Sequence, residues 1–157
     1  LPIATLAIVA ATACGGDDSP SATATTAGTA STIEAKDVDG HWRSDEWGDM
    51  YLETDASGLT RGVYPHDLGT VQGRIEDGVF VGWWCEAPSR QQPGDAGAVE
   101  FTFMRDPSGS LSLDGRWKYG ADEPQWRENW DLVLIDDPVD EATRKRLENP
   151  SEFCKPP

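Results

Sequence analysis

Between residues 58 and 84 one phrase recurs three times: Gly58-Leu59-Thr60-Arg61-Gly62-Val63-Tyr64, Gly69-Thr70-Val71-Gln72-Gly73-Arg74-Ile75 and Gly78-Val79-Phe80-Val81-Gly82-Trp83-Trp84. Each begins with a turn glycine, carries a second glycine four residues on, and places a large side chain two positions beyond that. Side chains alternate across a strand, so Gly62 shares a face with Tyr64, Gly73 with Val71 and Ile75, and Gly82 with Phe80 and Trp84. Leu111, Leu113, Gly115 and Trp117 repeat the same face later in the chain. Glycine inside a strand weakens it and marks a bend or a close approach by another group. Four in phase predict one cause, a tightly curved sheet whose inner glycines lie beneath rings from neighbouring strands. Small barrels fill their interiors by such alternation of small and large residues, and glycine kinks help the sheet to close.

Segments 48–54, 98–104 and 126–135 continue the alternation, the last with Trp126, Glu128, Trp130, Leu132 and Leu134 on one face. Strand starts about ten residues apart, with Gly, Asp and Pro between them, indicate an antiparallel all-β domain. The expectation is an up-and-down meander of about 7–8 strands closing into a small barrel, with an open curved sheet as its nearest rival. Residues 87–97 form the longest break and are expected to make a mobile loop at the barrel mouth. A short helix should follow the last strand. Asp137 can cap it with Pro138 at its first position, acids lead and bases follow up to Leu147, and Asn149-Pro150 stops it.

The start of the chain reads differently. Residues 1–13 are an apolar run too short for a membrane span of about 20 residues, and they suit the h-region of a signal peptide. Because the chain opens at Leu1, the first part of a precursor is expected to precede it. Ala11-Thr12-Ala13-Cys14, followed at once by Gly, Asp and Ser, resembles the processing site of bacterial lipoproteins. The resemblance implies that Cys14 is the first mature residue and carries a lipid, anchoring the protein to a bacterial membrane on its extracytoplasmic side. Residues 14–36, rich in Ser, Thr and Ala, read as a flexible tether with a reach of about 25 Å.

Composition changes at Asp37. All seven tryptophans, three tyrosines and four phenylalanines lie beyond it, which argues for one ordered domain over residues 37–157. With 13 Lys and Arg against 28 Asp and Glu, the formal net charge is -15. Such a surface repels phosphate backbones and argues against nucleic-acid binding.

With Cys14 assigned to the lipid, Cys85 and Cys154 remain as an even pair in a disulfide-permissive compartment. A bond between them would close a loop of about 70 residues, worth ~4 kcal/mol in the chain-entropy account. No metal or cofactor is expected. The cysteines have no CxxC spacing and His41 and His66 stand in no ligand pattern, while Asp37-Val38-Asp39-Gly40 lacks the later ligands of a calcium loop. Glu128 is the one acid in phase with the expected inner face, and no Ser/His/Asp or Cys/His arrangement can be drawn, so the domain reads as non-catalytic.

Gly40-His41-Trp42 at the head of a β meander looks like the Gly-x-Trp that opens lipocalin and avidin barrels, and residues 58–64 are similar to the second strand of avidins. A helix after the barrel, and a bridge from a mid-barrel cysteine to the C-terminal tail, are lipocalin traits that Cys85 and Cys154 would reproduce. The resemblance implies a calycin-type barrel acting as a binding or interaction module of the cell envelope. Two uses of its rings are open. A mouth or interior walled by Trp42, Tyr64, Trp84, Trp117 and Trp130 could take a small apolar or aromatic ligand or a sugar. Alternatively the rings form a solid core and the outer surface meets an envelope protein or polymer, which suits a barrel with so little spare volume.

Overall fold

Eight antiparallel strands close on themselves in chain order in the computed structural model. They are β1 (Gly40–Arg43), β2 (Met50–Thr54), β3 (Thr60–Val63), β4 (Thr70–Glu76), β5 (Val79–Cys85), β6 (Ala96–Arg105), β7 (Leu111–Trp117) and β8 (Leu132–Ile135). Residues 32–157 are described; the signal segment, Cys14 and most of the tether lie outside them. Closure comes from β8 returning to β1, with Trp42 opposite Leu134. The up-and-down barrel followed by one short helix is therefore the architecture that the strand alternation indicates.

Three of the four in-phase glycines lie beneath rings, while Gly62 instead meets the aliphatic side chains of Leu52 and Val71. Gly73 and Gly82 face each other across β4 and β5, and the Phe80 ring lies over both, so that a Cβ at Gly73 would come 2.8 Å from its Cζ and one at Gly82 2.5 Å. Gly115, opposite Phe101, meets Phe101 and the backbone of Trp130 in the same manner. Rings thus occupy the volume that side chains at these positions would need, and the sheet can curve tightly around them.

One end of the barrel is shut. Asp55-Ala56-Ser57-Gly58 and Asp106-Pro107-Ser108-Gly109 make the same tight turn, each Asp accepting hydrogen bonds from the amide and hydroxyl of its Ser two residues on. Ile33 and the short 3-10 helix Ala35–Val38 pack beneath, and the Trp42 Nε1 donates to the Val38 carbonyl at 2.8 Å. The folded body therefore takes in residues ahead of Asp37 that composition assigns to the tether, because the partly buried Ile33 packs against the core beside Val38. The carboxylates of Asp37 and Asp39 accept hydrogen bonds here from the backbone amides of Glu34 and Thr54.

Three expectations need correction. Residues 126–131 do not extend β8: Arg127 makes a single bridge to Trp117, Trp126 lies outside the barrel under Arg116 and Lys118, and Glu128 is exposed. The helix α1 (Glu141–Leu147) starts after Asp140, not Asp137, since Asp140 accepts from both the Ala142 and Thr143 amides. Loop 86–95 is at the mouth as expected but is tied down. Arg90 donates to the carbonyls of Glu152 and Leu68 at 2.8 and 2.9 Å, and Ser89 is bonded to Asp95.

Leu147 at the end of α1 and Phe153 beyond it pack on Val63 against the outside of the barrel. Cys154 is joined to Cys85, with Cα atoms 6.2 Å apart. A disulfide fits an oxidising, extracytoplasmic compartment, and no helix among the described residues is long and apolar enough to cross a membrane.

Candidate functional site at the barrel mouth

The end opposite the tight turns carries the four longer connections, and their aromatic residues converge there. Trp47 comes from the β1–β2 connection, His66 from β3–β4, Trp84 and Glu86 from the end of β5, Trp117 and Tyr119 from the end of β7, and Trp130 from the approach to β8. Together they line a recess of about 100 Å³.

The rings meet at steep angles. Trp47 and Trp84 each stand nearly perpendicular to Trp117, with centroids 5.6 and 5.4 Å apart, and Tyr119 is edge-on to Trp117 at 5.1 Å. Such T-shaped contacts are a favoured arrangement of aromatic quadrupoles. Three indole N–H groups are turned to the protein: Trp47 donates to the Asn129 carbonyl, Trp117 to the Asn129 Oδ1 and Trp84 to the Lys118 carbonyl, at 2.8–3.0 Å. The Trp130 Nε1 is buried and has no acceptor among the described residues.

Glu86 is the recess's carboxylate. The Tyr64 hydroxyl donates to its Oε1 at 2.8 Å, and burial raises its pKa above the ordinary carboxylate value, against the lowering effect of that hydrogen bond. Tyr64 is itself held well above its ordinary pKa, by burial first and by the Glu86 charge second. His66, Asp67 and Glu86 bring ligand atoms within 4.8 Å of one another, a grouping hidden in the sequence because Glu86 comes from a different connection. Arg127 stacks on Trp117 and Tyr119, 4.9 and 4.6 Å from their centroids, with its charge held by Glu123.

The loops around the recess are fastened from outside. Arg146 of α1 donates to the carbonyls of Tyr64, Leu68 and Gly69 and to the Glu152 carboxylate. The Ala87 amide donates to the Asp67 carbonyl at 2.8 Å.

Of the rings singled out in the sequence, Trp84, Trp117 and Trp130 meet at the recess. Tyr64 packs edge-on to Trp130 and touches the recess only through Glu86. Trp42 lies deep toward the shut end, against Phe103. Trp47, His66, Glu86 and Tyr119 escape a strand-based reading because they sit in connections; their one signal is aromatic or ionisable character immediately beyond a strand end. No protein-family model matches the chain, and neither the curated proteins nor the solved structures contain a match to it.

Proposed function

We propose that this protein is a non-catalytic, extracytoplasmic binding module, lipid-anchored to a bacterial membrane through Cys14, whose filled barrel offers its aromatic mouth to one small group of a larger ligand. The observation that carries this reading is the recess itself. Its volume of about 100 Å³ is well below the ~300–1,000 Å³ of pockets that enclose whole ligands and smaller than a ~150 Å³ cavity that holds benzene. Beneath it Trp42, Tyr64, Phe80, Phe101 and Val99 are buried at 0–1% exposure, which leaves no room for a lipocalin-style cargo. The larger ligand would be a protein or polymer of the envelope presenting an apolar, aromatic or sugar terminus. Glycoside hydrolysis uses a pair of carboxylates facing the scissile bond, whereas among the described residues Glu86 is the one carboxylate in the lining and already accepts a hydrogen bond from Tyr64, its neighbour Asp67 lying outside the lining.

Titration of the full chain with small probes, phenol and a methyl glycoside among them, should change the tryptophan fluorescence saturably for at least one probe. Stoichiometric uptake of a long-chain fluorescent fatty acid would overturn the filled-barrel reading. Cys14→Ser should release the protein from membranes into the soluble fraction, and continued membrane retention would refute the anchor.

A further inference from the structure

We infer that the recess is a cage for a methylated ammonium cation, the trimethylammonium group of a choline or betaine type of ligand. This deepens the reading of the mouth as a binding site and rests on it.

Shape is the first argument. A planar ring is best held between parallel walls. Here Trp47 and Trp84 stand at 86° and 87° to Trp117, and Tyr119 at 82°, so Trp117 has no parallel partner among these rings. A recess of about 100 Å³ holds roughly three waters' share of liquid volume, at ~30 Å³ each. That suits a compact tetrahedral group entering by one end, with the rest of its molecule outside.

Electrostatics is the second. Indole rings carry negative potential over their faces and attract cations most strongly of the aromatic side chains, and cages of such rings are the recurrent means of holding quaternary ammonium groups. The N–H groups of Trp47, Trp84 and Trp117 are all taken by protein acceptors, so the donors left in the lining for an anion or for sugar hydroxyls are the Tyr119 hydroxyl, the His66 ring and the Trp130 N–H. Glu86 supplies a carboxylate at the wall, with Asp67 close by. The nearby guanidinium, Arg127, is neutralised by Glu123 and already stacks on Trp117 and Tyr119, an internal instance of these rings receiving a cation. A net charge of -15 favours the approach of cations over long range.

The decisive comparison is choline against 3,3-dimethylbutan-1-ol, which replaces the charged nitrogen by carbon at nearly constant shape. Both are titrated into the full chain by tryptophan fluorescence and calorimetry. Choline should bind about tenfold more tightly than the neutral analogue, and Glu86→Gln should weaken choline by about three- to tenfold and the analogue by less. Equal binding of the two would overturn the cation inference and leave a simple apolar recess. Binding of neither would remove the inference, and the reading of the mouth on which it rests falls only if phenol and the methyl glycoside fail as well. The analogue comparison needs no variant, so a misfolded Glu86→Gln cannot obscure the result.

Discussion

Phe80 covers two glycines with one ring, and neither can gain a side chain without moving it. A Cβ at Gly73 would also sit 2.6 Å from the Cα of Gly82, so the clash involves backbone and cannot be relieved by a rotamer change. Gly73→Ala and Gly82→Ala should each destabilise the domain by about 2–3 kcal/mol in urea denaturation, whereas Gly94→Ala, where a Cβ meets nothing within 4 Å, should stay within about 0.5 kcal/mol. Glu86 makes a pH prediction. Its raised folded pKa means that the folded state holds the proton more tightly than the unfolded chain, so its contribution to stability is full below the ordinary carboxylate range and is lost as pH rises through the raised value. Asp55, Asp95, Asp106 and Asp140 act with the opposite sign: hydroxyls of Ser and Thr hold their pKa values down, and their contribution is lost as pH falls. Thermal melts of Glu86→Gln beside the parent, from about pH 4 to about pH 8, should therefore show the variant gaining relative stability toward neutral pH. At this scale the glycine and ring phases were legible because the strand period of two is rigid. Glu86 and Asn129 were not, since a residue in a connection obeys no period.

Arg146 does for the C-terminal helix what a short hydrophobic face could not do alone. Val139 and Leu147 offer little area, but one guanidinium reaches three carbonyls of the 64–69 connection and the carboxylate of Glu152. Arg146→Met should cost about 2 kcal/mol, as the part-buried carbonyls of Tyr64 and Gly69 and the Glu152 carboxylate lose a charged donor, and the amides of Leu68 and Gly69 should exchange faster with solvent. The existence of α1 could be read from its flanking acids, bases and Asn149-Pro150, but its first residue could not. Asp137 and Asp140 are both competent caps in sequence, and the choice fell to Asp140, which has two amides and the Thr143 hydroxyl to bond. The first half of the expected last strand misleads for a related reason. Trp126, Trp130 and Leu132 alternate as a strand would, yet alternation does not report that the backbone has left the sheet; Trp126 finds its partners outside, on Arg116 and Lys118.

On the scale of the whole molecule, the C-terminal segment is held by a covalent bond as well as by α1. Cys85 and Cys154 are separated by 69 residues, and Cys154→Ser should lower stability by up to ~4 kcal/mol in the chain-entropy account, read as a fall in melting temperature that reducing agent reproduces in the parent and not in the variant. Closure of the barrel was legible in outline from the in-phase glycines. Which end would be open was not, because that depends on connection length and on Ile33 folding back from a stretch whose composition looks like tether. The pairing of β8 with β1 sets the order in which the fold can be completed. A chain that emerges N-terminus first carries β1 with one open edge until the eighth strand arrives. Long-range pairing of this kind is slow and leaves strands open to other chains, so the yield of folded protein is governed by how long the first strand waits for the last.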